Sequence, residues 1–314
     1  MKTISYKDIS KMANVSISTV SRYYNNGYVS KRTKEKIEKV VQQFEYYPNH
    51  GARLIRGRDN SIFIIVPEWP QGLYMAIANG IVQSAKIHNK KVNTTFTEVS
   101  TKEYIETVRY VLSWRPTSLV LFVPEYDEQL FSYLRTIEDT SIVVFGHEVE
   151  GLNWIKVDET HAFYNLTNVF HSTITDNQKM MLVVDKKLNK VQIEDRKQGF
   201  INACNDLGVE YEIYELAGKS KSSIAELNKY TRKQKISNVV CSTHEVFISL
   251  NVLGDKSLRL TDFGYQSVYD YIRTYKAKIF VDYPSIGVEI ENMIWVHNVD
   301  YVLKSKLIKT RIIS

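Results

Sequence analysis

Ser16, Ile17, Ser18, Thr19, Ser21 and Arg22 fall within one stretch of seven residues near the start of the chain. Hydroxyls that both donate and accept, followed one turn later by a guanidinium, are the groups that grip phosphates and read base edges. The neighbouring residues predict how such groups would be held. Tyr6 to Ala13 forms a helical segment with Ile9, Met12 and Ala13 on one apolar face. Asn14 tolerates the left-handed conformation of a tight turn, and Ser16 is a good N-cap for a second helix. Val20 with Tyr23 or Tyr24 gives that helix a buried side. Two helices so joined make a helix-turn-helix, whose second helix carries base-reading groups at its N-terminal end.

A loop from Asn25 to Ser30 leads to a third helix, opened by Ser30 or Thr33. Its Ile37, Val40, Val41 and Phe44 recur at helical spacing and should close a small core over Ile9 and Val20. Lys31, Arg32, Lys34 and Lys36 at its start suit phosphate contacts. Charge is distributed accordingly. Residues 1–58 hold 12 Lys/Arg against 4 Asp/Glu, a net of +8. The whole chain holds 41 against 35, so the remainder carries 29 against 31, a net of −2. A basic arm on a near-neutral body is the pattern of a nucleic-acid-binding unit attached to something else. Cys204 and Cys241 are far apart, which argues against a disulfide scaffold or a zinc site. With no signal peptide and no bilayer-length apolar run, the expected location is the cytoplasm, without a membrane partner.

The runs Tyr6-Lys7-Asp8-Ile9, Asn14-Val15-Ser16, Ser18-Thr19-Val20-Ser21-Arg22, Asn25-Asn26, Val29-Ser30 and Tyr47-Pro48-Asn49 resemble the DNA-binding headpiece of the lac-repressor (LacI/GalR) family. The loop Asn25 to Ser30 is similar to that of its sucrose- and trehalose-type branch. The resemblance implies a headpiece over residues 1–47, a hinge over 48–59, and an effector-binding and dimerisation core over 60–314. It further implies that Asn49 to Gly57 becomes a hinge helix in the minor groove when operator DNA is bound. Ala52 and Arg53 match that segment, and Ile55 stands where the family usually places a wedging Leu. Ile is apolar enough to unstack a base step but stiffer at χ1. Gly51 costs about 1 kcal/mol of helix propensity, which suits a helix that forms only on DNA. The resemblance makes Ser16, Ile17, Ser18, Thr19, Ser21, Arg22, Asn25, Tyr47, Asn49, Ala52, Arg53 and Ile55 the DNA-binding set.

From Ser61 the pattern alternates between short apolar runs and helical stretches. Strands are predicted at 62–66, 92–97, 118–123, 142–145, 180–184, 210–215 and 238–241, separated by helices at 74–89, 102–114, 128–136, 165–172, 196–207, 225–233 and 244–253. Such alternation specifies an α/β fold with parallel sheets covered on both faces. By resemblance the fold is a helix-turn-helix headpiece plus a periplasmic-binding-protein-like core of two doubly wound parallel-sheet subdomains. The N-subdomain would take about 60–157 and 284–297, and the C-subdomain about 158–283 and 298–314. Crossings would fall near Val157-Asp158, Tyr283-Pro284 and His297 to Asp300, with a final strand within Leu303 to Ile312.

Ligands of parallel sheets sit at the carboxyl ends of the strands, which nominates Glu68, Trp69, Glu125, His147, Asp185 and His244. The family resemblance adds Arg196, in the run Arg196-Lys197-Gln198-Gly199-Phe200, as an effector-binding residue, and Asp282 and Tyr283 at a crossing. Trp69, Tyr74, Tyr265 and Tyr283 are candidate platforms for the apolar face of a sugar ring. The chain departs from the family where Thr243-His244 replaces a pair ending in Asp, where His147 replaces an Arg, and where Gly264-Tyr265-Gln266-Ser267 replaces Gly-Tyr-Asp-Asp. His147 and His244 are each either ligand contacts or internally satisfied histidines. Loss of a cation at 147 favours a neutral sugar over a phosphosugar. The effector set is therefore Trp69, Tyr74, Glu125, His147, Arg196, His244, Gln266, Asp282 and Tyr283.

No enzyme signature is present: Ala217-Gly218-Lys219-Ser220 lacks the upstream glycine of a phosphate loop, and neither a zinc-protease nor a serine-hydrolase motif occurs. No cofactor is expected. The resemblance implies a homodimeric repressor of a carbohydrate operon that binds a pseudo-palindromic double-stranded operator and a small carbohydrate such as a disaccharide. The competing reading is a pleiotropic regulator of the same fold with an altered cleft, controlled by a protein partner or a sugar phosphate.

Overall fold

The computed structural model describes residues 5–24, 27–44, 59–68, 72–174, 179–265, 275–300 and 302–314. The chain divides into two units, Met1–Asp59 and Asn60–Ser314. In the first, helix α1 (Tyr6–Met12) opens on a reciprocal cap: Ser5 Oγ accepts from Asp8 N–H, and the Asp8 carboxylate accepts from Ser5 N–H at 2.9 Å. Asn14 turns the chain at φ 49°. Ser16 Oγ then accepts from Thr19 N–H at 3.0 Å, starting α2 (Ile17–Tyr24). Helix α3 (Lys31–Gln43) closes the bundle, and Ile9, Ala13, Val20, Ile37 and Val40 form its core. Two expected core residues stand outside it. Phe44 is the residue at which α3 stops, with φ −110°, so its side chain leaves the helical stripe and is 43% exposed. Met12 flanks the stripe set by Ile9 and Ala13 and is similarly exposed.

The second unit is built from two lobes. The first lobe carries a six-stranded sheet of β1 (Asp59–Pro67), β2 (Lys91–Thr97), β3 (Pro116–Phe122), β4 (Ser141–Phe145), β5 (Asn153–Val157) and β12 (Ser305–Ile308), in the order β12-β5-β4-β3-β1-β2. Strand periodicity decides its layers. Ile62, Ile64 and Val66 face α4 (Gly72–Ile87) and α11 (Tyr283–Asp300), whereas Phe63 and Ile65 face α5 (Thr101–Ser113) and α6 (Glu128–Arg135). Burial on both faces explains the unbroken apolar run Ile62 to Val66.

The second lobe repeats this logic. A parallel sheet orders β6 (Met180–Asp185), β7 (Tyr211–Leu216), β8 (Asn238–Cys241) and β9 (Arg259–Leu260) as β7-β6-β8-β9. Met180, Leu182 and Val184 pack toward α7 (Glu159–Ser172) and α8 (Lys190–Leu207); Met181 and Val183 pack toward α9 (Lys221–Gln234) and α10 (His244–Leu253). A small sheet follows, with β10 (Asp262–Gly264) parallel and β13 (Arg311–Ile313) antiparallel to β11 (Lys278–Phe280).

Several boundaries differ from expectation for identifiable reasons. Helices α7 and α8 each begin six residues earlier than the apolar pattern suggests, because Asp158 and Asn189 cap polar first turns. Strand β5 departs from expectation, since Asn153 and Lys156 leave it no continuous apolar run. The predicted crossings at 283–284 and 297–300 are the two ends of α11, which keeps Pro284 in its first turn, where no intrahelical N–H bond is lost. The predicted final strand is two strands. Ser305–Ile308 pairs parallel with β5 in the first lobe, and only Arg311–Ile313 joins the second, so the last crossing lies at Lys309-Thr310 and residues 305–308 do not belong to the C-subdomain.

Glycines let the main helix pairs touch backbone to backbone. A Cβ on Gly80 of α4 would lie 2.0 Å from the Pro284 carbonyl oxygen, and one on Gly287 of α11 would lie 2.0 Å from the Ile77 carbonyl oxygen. Gly287→Ala should therefore destabilise the core by about 2 kcal/mol or more, because overpacking outweighs the roughly 1 kcal/mol gained in helix propensity. Gly72→Ala, where a Cβ meets nothing within 4 Å, should be neutral in the same urea titration. Equal midpoints for the two variants would contradict the close packing.

Candidate nucleic-acid interface and effector cleft

Helix α2 buries Val20 and turns its N-terminal side outward. Ser16, Ile17, Ser18 and Arg22 are exposed, while Thr19 and Ser21 are half-buried. Ser16 Oγ bonds to the hydroxyls of Ser18 and Thr19, each at 2.7 Å, so three hydroxyls are held as one cluster at the helix start. The backbone at Arg22 is anchored by Gly27 N–H, which donates to its carbonyl at 2.8 Å. A side chain at Gly27 would crowd Arg22 Cγ at 3.2 Å. Among the described residues the Arg22 guanidinium has no partner, and an exposed 43% Ile17 stands beside it. The arrangement offers two donors for a bidentate contact and an apolar tip for a methyl group. Lys31, Arg32, Lys34 and Lys36 are exposed at the start of α3, with Lys34 3.8 Å from Glu38. Asn25, Tyr47, Asn49, Ala52, Arg53 and Ile55, expected to bind DNA, lie outside the described residues, as do Trp69 and Gln266 of the expected effector set.

In the core, the carboxyl ends of the second-lobe strands carry a buried polar network. Arg196, nearly two turns into α8, is 3% exposed and lies over Phe263 at 4.4 Å and Phe163 at 5.6 Å. Its Nε donates to Glu159 Oε2 at 2.7 Å, its Nη2 to Glu159 Oε1 at 2.8 Å, and its Nη1 to the Ser242 carbonyl. Gln192 Nε2 donates to Glu159 Oε1 at 3.3 Å. Ser242 continues the network through its hydroxyl, which accepts from Asp185 N–H at 2.8 Å. The Asp185 carboxylate accepts from Thr243 Oγ1 at 3.2 Å and pairs with Lys219. Beside it, Asp262 joins His244 Nδ1 at 2.8 Å and Lys278 Nζ at 3.1 Å.

The expected effector residues thus fall into different surroundings. Arg196, Tyr283 and Tyr74 share one electrostatic neighbourhood with Glu159 and Glu245. Tyr283 is 8% exposed, and burial pushes its hydroxyl well up. Tyr74 is 7% exposed with its ring stacked 4.7 Å from Phe122, and burial raises its hydroxyl to about 12. Its ring is core rather than an open platform. His147 is 2% exposed, its Nε2 donates to the Val123 carbonyl at 2.9 Å, and the rings of Tyr126 and Phe131 flank it. Burial lowers its pKa, so it is held neutral as an internally satisfied histidine. His244 is directed by Asp262. Glu125 is exposed, and Asp282 caps α11 by accepting from Ser285 N–H at 3.1 Å, lining a cavity of about 240 Å³ at the crossings with Lys306 and Arg311. Tyr265 is 41% exposed beside Phe280.

Glu159, Ser242, Asp262, Lys219 and Lys278 were not anticipated. The acidic pair Asp158-Glu159 at the expected crossing was the available sign for the first; the others are brought in by the tertiary fold. Two further contacts join the lobes across the cleft. Asn189 Nδ2 donates to the Pro124 carbonyl at 2.7 Å, and Lys156 Nζ pairs with Asp195 at 2.8 Å.

An exposed reading helix in a basic three-helix unit, followed by a two-lobed parallel-sheet core, defines a DNA-binding transcriptional regulator. Residues 5–49 match the family described as bacterial regulatory proteins, lacI family. The transcriptional regulator RegA of Clostridium saccharobutylicum is 23% identical over 90% of this chain and 86% of its own length. The sucrose operon repressor of Staphylococcus xylosus is 25% identical over 68% of this chain and 65% of its own. In fold, the lac repressor dimer bound to operator and an anti-inducer superposes with a TM-score of 0.81 at 16% identity, covering 100% of this chain and 98% of that one. A transcriptional regulator CelR–cellobiose complex gives 0.66 at 15% identity over 99% and 98%. Residues 5–49 thus carry a DNA-binding unit of the lacI kind, and the chain as a whole shares the fold of the lac repressor. These relatives are regulators rather than enzymes, and among the described residues no helix is long and apolar enough to cross a membrane.

Because the folded-state pKa of His147 lies below its ordinary 6.5, the unfolded chain binds this proton first as pH falls. Wild-type stability should fall, relative to His147→Gln, as pH drops below about 6.5. Urea midpoints of both proteins at about pH 7.5 and about pH 5 test this; a difference that stays constant would contradict a buried neutral imidazole.

Proposed function

We propose that this protein is a homodimeric repressor of a carbohydrate-utilisation operon, controlled by a small uncharged sugar bound between the lobes of its core. The observation that carries the DNA half is the exposed Arg22, unpartnered among the described residues, one turn after the Ser16–Ser18–Thr19 hydroxyl cluster, in a stretch (residues 1–58) of net charge +8. Two copies related by two-fold symmetry place one α2 in each major-groove half-site of a pseudo-palindromic operator. Arg22 reads a guanine edge, Ile17 meets a thymine methyl, and Ser18 contacts a base or the adjacent phosphate. Ser16 and Thr19 position phosphates, joined by Ser21, Asn25, Tyr47 and the hinge residues Asn49, Ala52, Arg53 and Ile55.

The sugar half draws on a cleft at the strand ends and on relatives whose names include a sucrose operon repressor and a cellobiose complex. Arg196, Tyr283, Glu125, His244, Trp69 and Gln266 are its candidate contacts. Ligand binding changes the angle between the lobes, and with it the geometry in which two headpieces meet the operator. A second reading has one specific observation in its favour: His147 and Arg196 are fully engaged by the protein itself. On that reading the cleft is altered, and a protein partner or a sugar phosphate supplies control.

Arg22→Ala should reduce the preference for operator over scrambled DNA by about 1–3 kcal/mol, with a much smaller change in binding to scrambled DNA. Anisotropy titrations at fixed salt measure both. Undiminished discrimination in the variant would overturn the assignment of α2 as the reading helix.

A further inference from the structure

Among the described residues, three buried or half-buried cations at the cleft end of the second lobe are each matched to a carboxylate. Arg196 is paired in bidentate fashion with Glu159, Lys219 with Asp185, and Lys278 with Asp262. Arg196, Lys278 and their partners are all at most 6% exposed. In the first lobe, His147 bonds a carbonyl through Nε2 and is kept neutral, and Lys156 at the end of β5 is paired with Asp195 and Glu148. An anion entering such a site meets cations that already carry a carboxylate partner. It would also lose its own hydration, so a charge-matched buried site favours uncharged ligands.

Within this set Glu159 has a distinct place. It begins α7 directly after the crossing between lobes, whereas Arg196 projects from α8. Gly199 lets the two helices approach so closely that a Cβ there would lie 2.2 Å from the Thr160 carbonyl oxygen. Glu159 therefore meets Arg196 as a consequence of helix packing, and Gln192 completes its acceptor shell at 3.3 Å. We propose that Glu159 is the specificity-determining residue of the cleft: by neutralising Arg196 from within, it excludes phosphorylated ligands and restricts the site to uncharged ones. The proposal rests on the reading of the cleft as an effector site, and it is tested without DNA.

Three proteins are compared by thermal shift and calorimetry with glucose 6-phosphate and with inorganic phosphate: wild type, Glu159→Gln, and the double variant Glu159→Gln with Arg196→Met. The basic headpiece contributes equally to all three, so only differences between them report on the cleft. Glu159→Gln should bind glucose 6-phosphate about tenfold more tightly than wild type, with a gain that shrinks at high salt, because an uncompensated guanidinium then faces the ligand. The double variant should return to the wild-type level. Equal affinity in wild type and Glu159→Gln would overturn the proposal. Should Glu159→Gln fail to fold, the comparison of wild type with the double variant still decides: glucose 6-phosphate binding by wild type that the double variant loses would show that Glu159 does not shield Arg196. If uncharged sugars also leave every variant unchanged while Glu159→Gln gains the anion, the effector reading fails and the shielding by Glu159 stands.

Discussion

The contact on which the second lobe depends is the buried pair between Glu159 and Arg196. It joins the first turn of α7 to α8 and, through the Ser242 carbonyl, to the end of β8. It also lies beside the crossing from β5, so the lobe boundary and the polar floor of the cleft are set by the same atoms. Removing one partner would strand a charge more than nine-tenths buried, at a cost of roughly 3–5 kcal/mol. Replacing both with well-packed apolar groups need cost little, so the pair is weak evidence of stability and stronger evidence of a specified geometry. Gly199 makes the pair possible, since any larger residue would force α8 away from α7.

The two units divide the physical problem. The first has a five-residue apolar core, just enough to fix three short helices, and spends its surface on positive charge and exposed hydroxyls. In the proposed function, long-range attraction to a polyanion comes from that charge, and sequence preference from the few groups held at the start of α2. The second is nearly neutral and owes its order to two parallel sheets buried on both faces. Among the described residues, polar contacts that link its lobes include Asn189 to Pro124 and Lys156 to Asp195. A hinge held by a small number of hydrogen bonds can be biased by a ligand that makes a similar number.

Local chemistry was the legible part of the sequence. Asn14 turns in the left-handed region, Ser16 caps α2, and Ile9, Val20, Ile37 and Val40 meet as their spacing implied. The β–α alternation identified both sheets because apolar runs buried on two faces leave a strong signal. Strand β5 was hidden by Asn153 and Lys156, which break its apolar residues, and the early turns of α7 and α8 by their polarity. The pairing of Glu159 with Arg196 spans 37 positions and depends on how closely two helices approach, which no local pattern encodes. The two histidines were undecidable from sequence for the same reason. The Val123 carbonyl and the Asp262 carboxylate that engage them come from neighbouring strands. The family resemblance supplied the two-lobed architecture but set the last crossing too early, since β12 returns to the first lobe before β13 enters the second.

The central claim is that occupancy of the core by a small uncharged sugar alters how the headpieces hold an operator. The most direct measurement is the affinity of the full-length protein for a palindromic site beside its own gene, by fluorescence anisotropy at constant salt, across a panel of neutral mono- and disaccharides. The account predicts that at least one of them shifts the operator affinity by about tenfold or more while leaving binding to scrambled DNA nearly unchanged. Tight, specific operator binding that no uncharged sugar alters would contradict it.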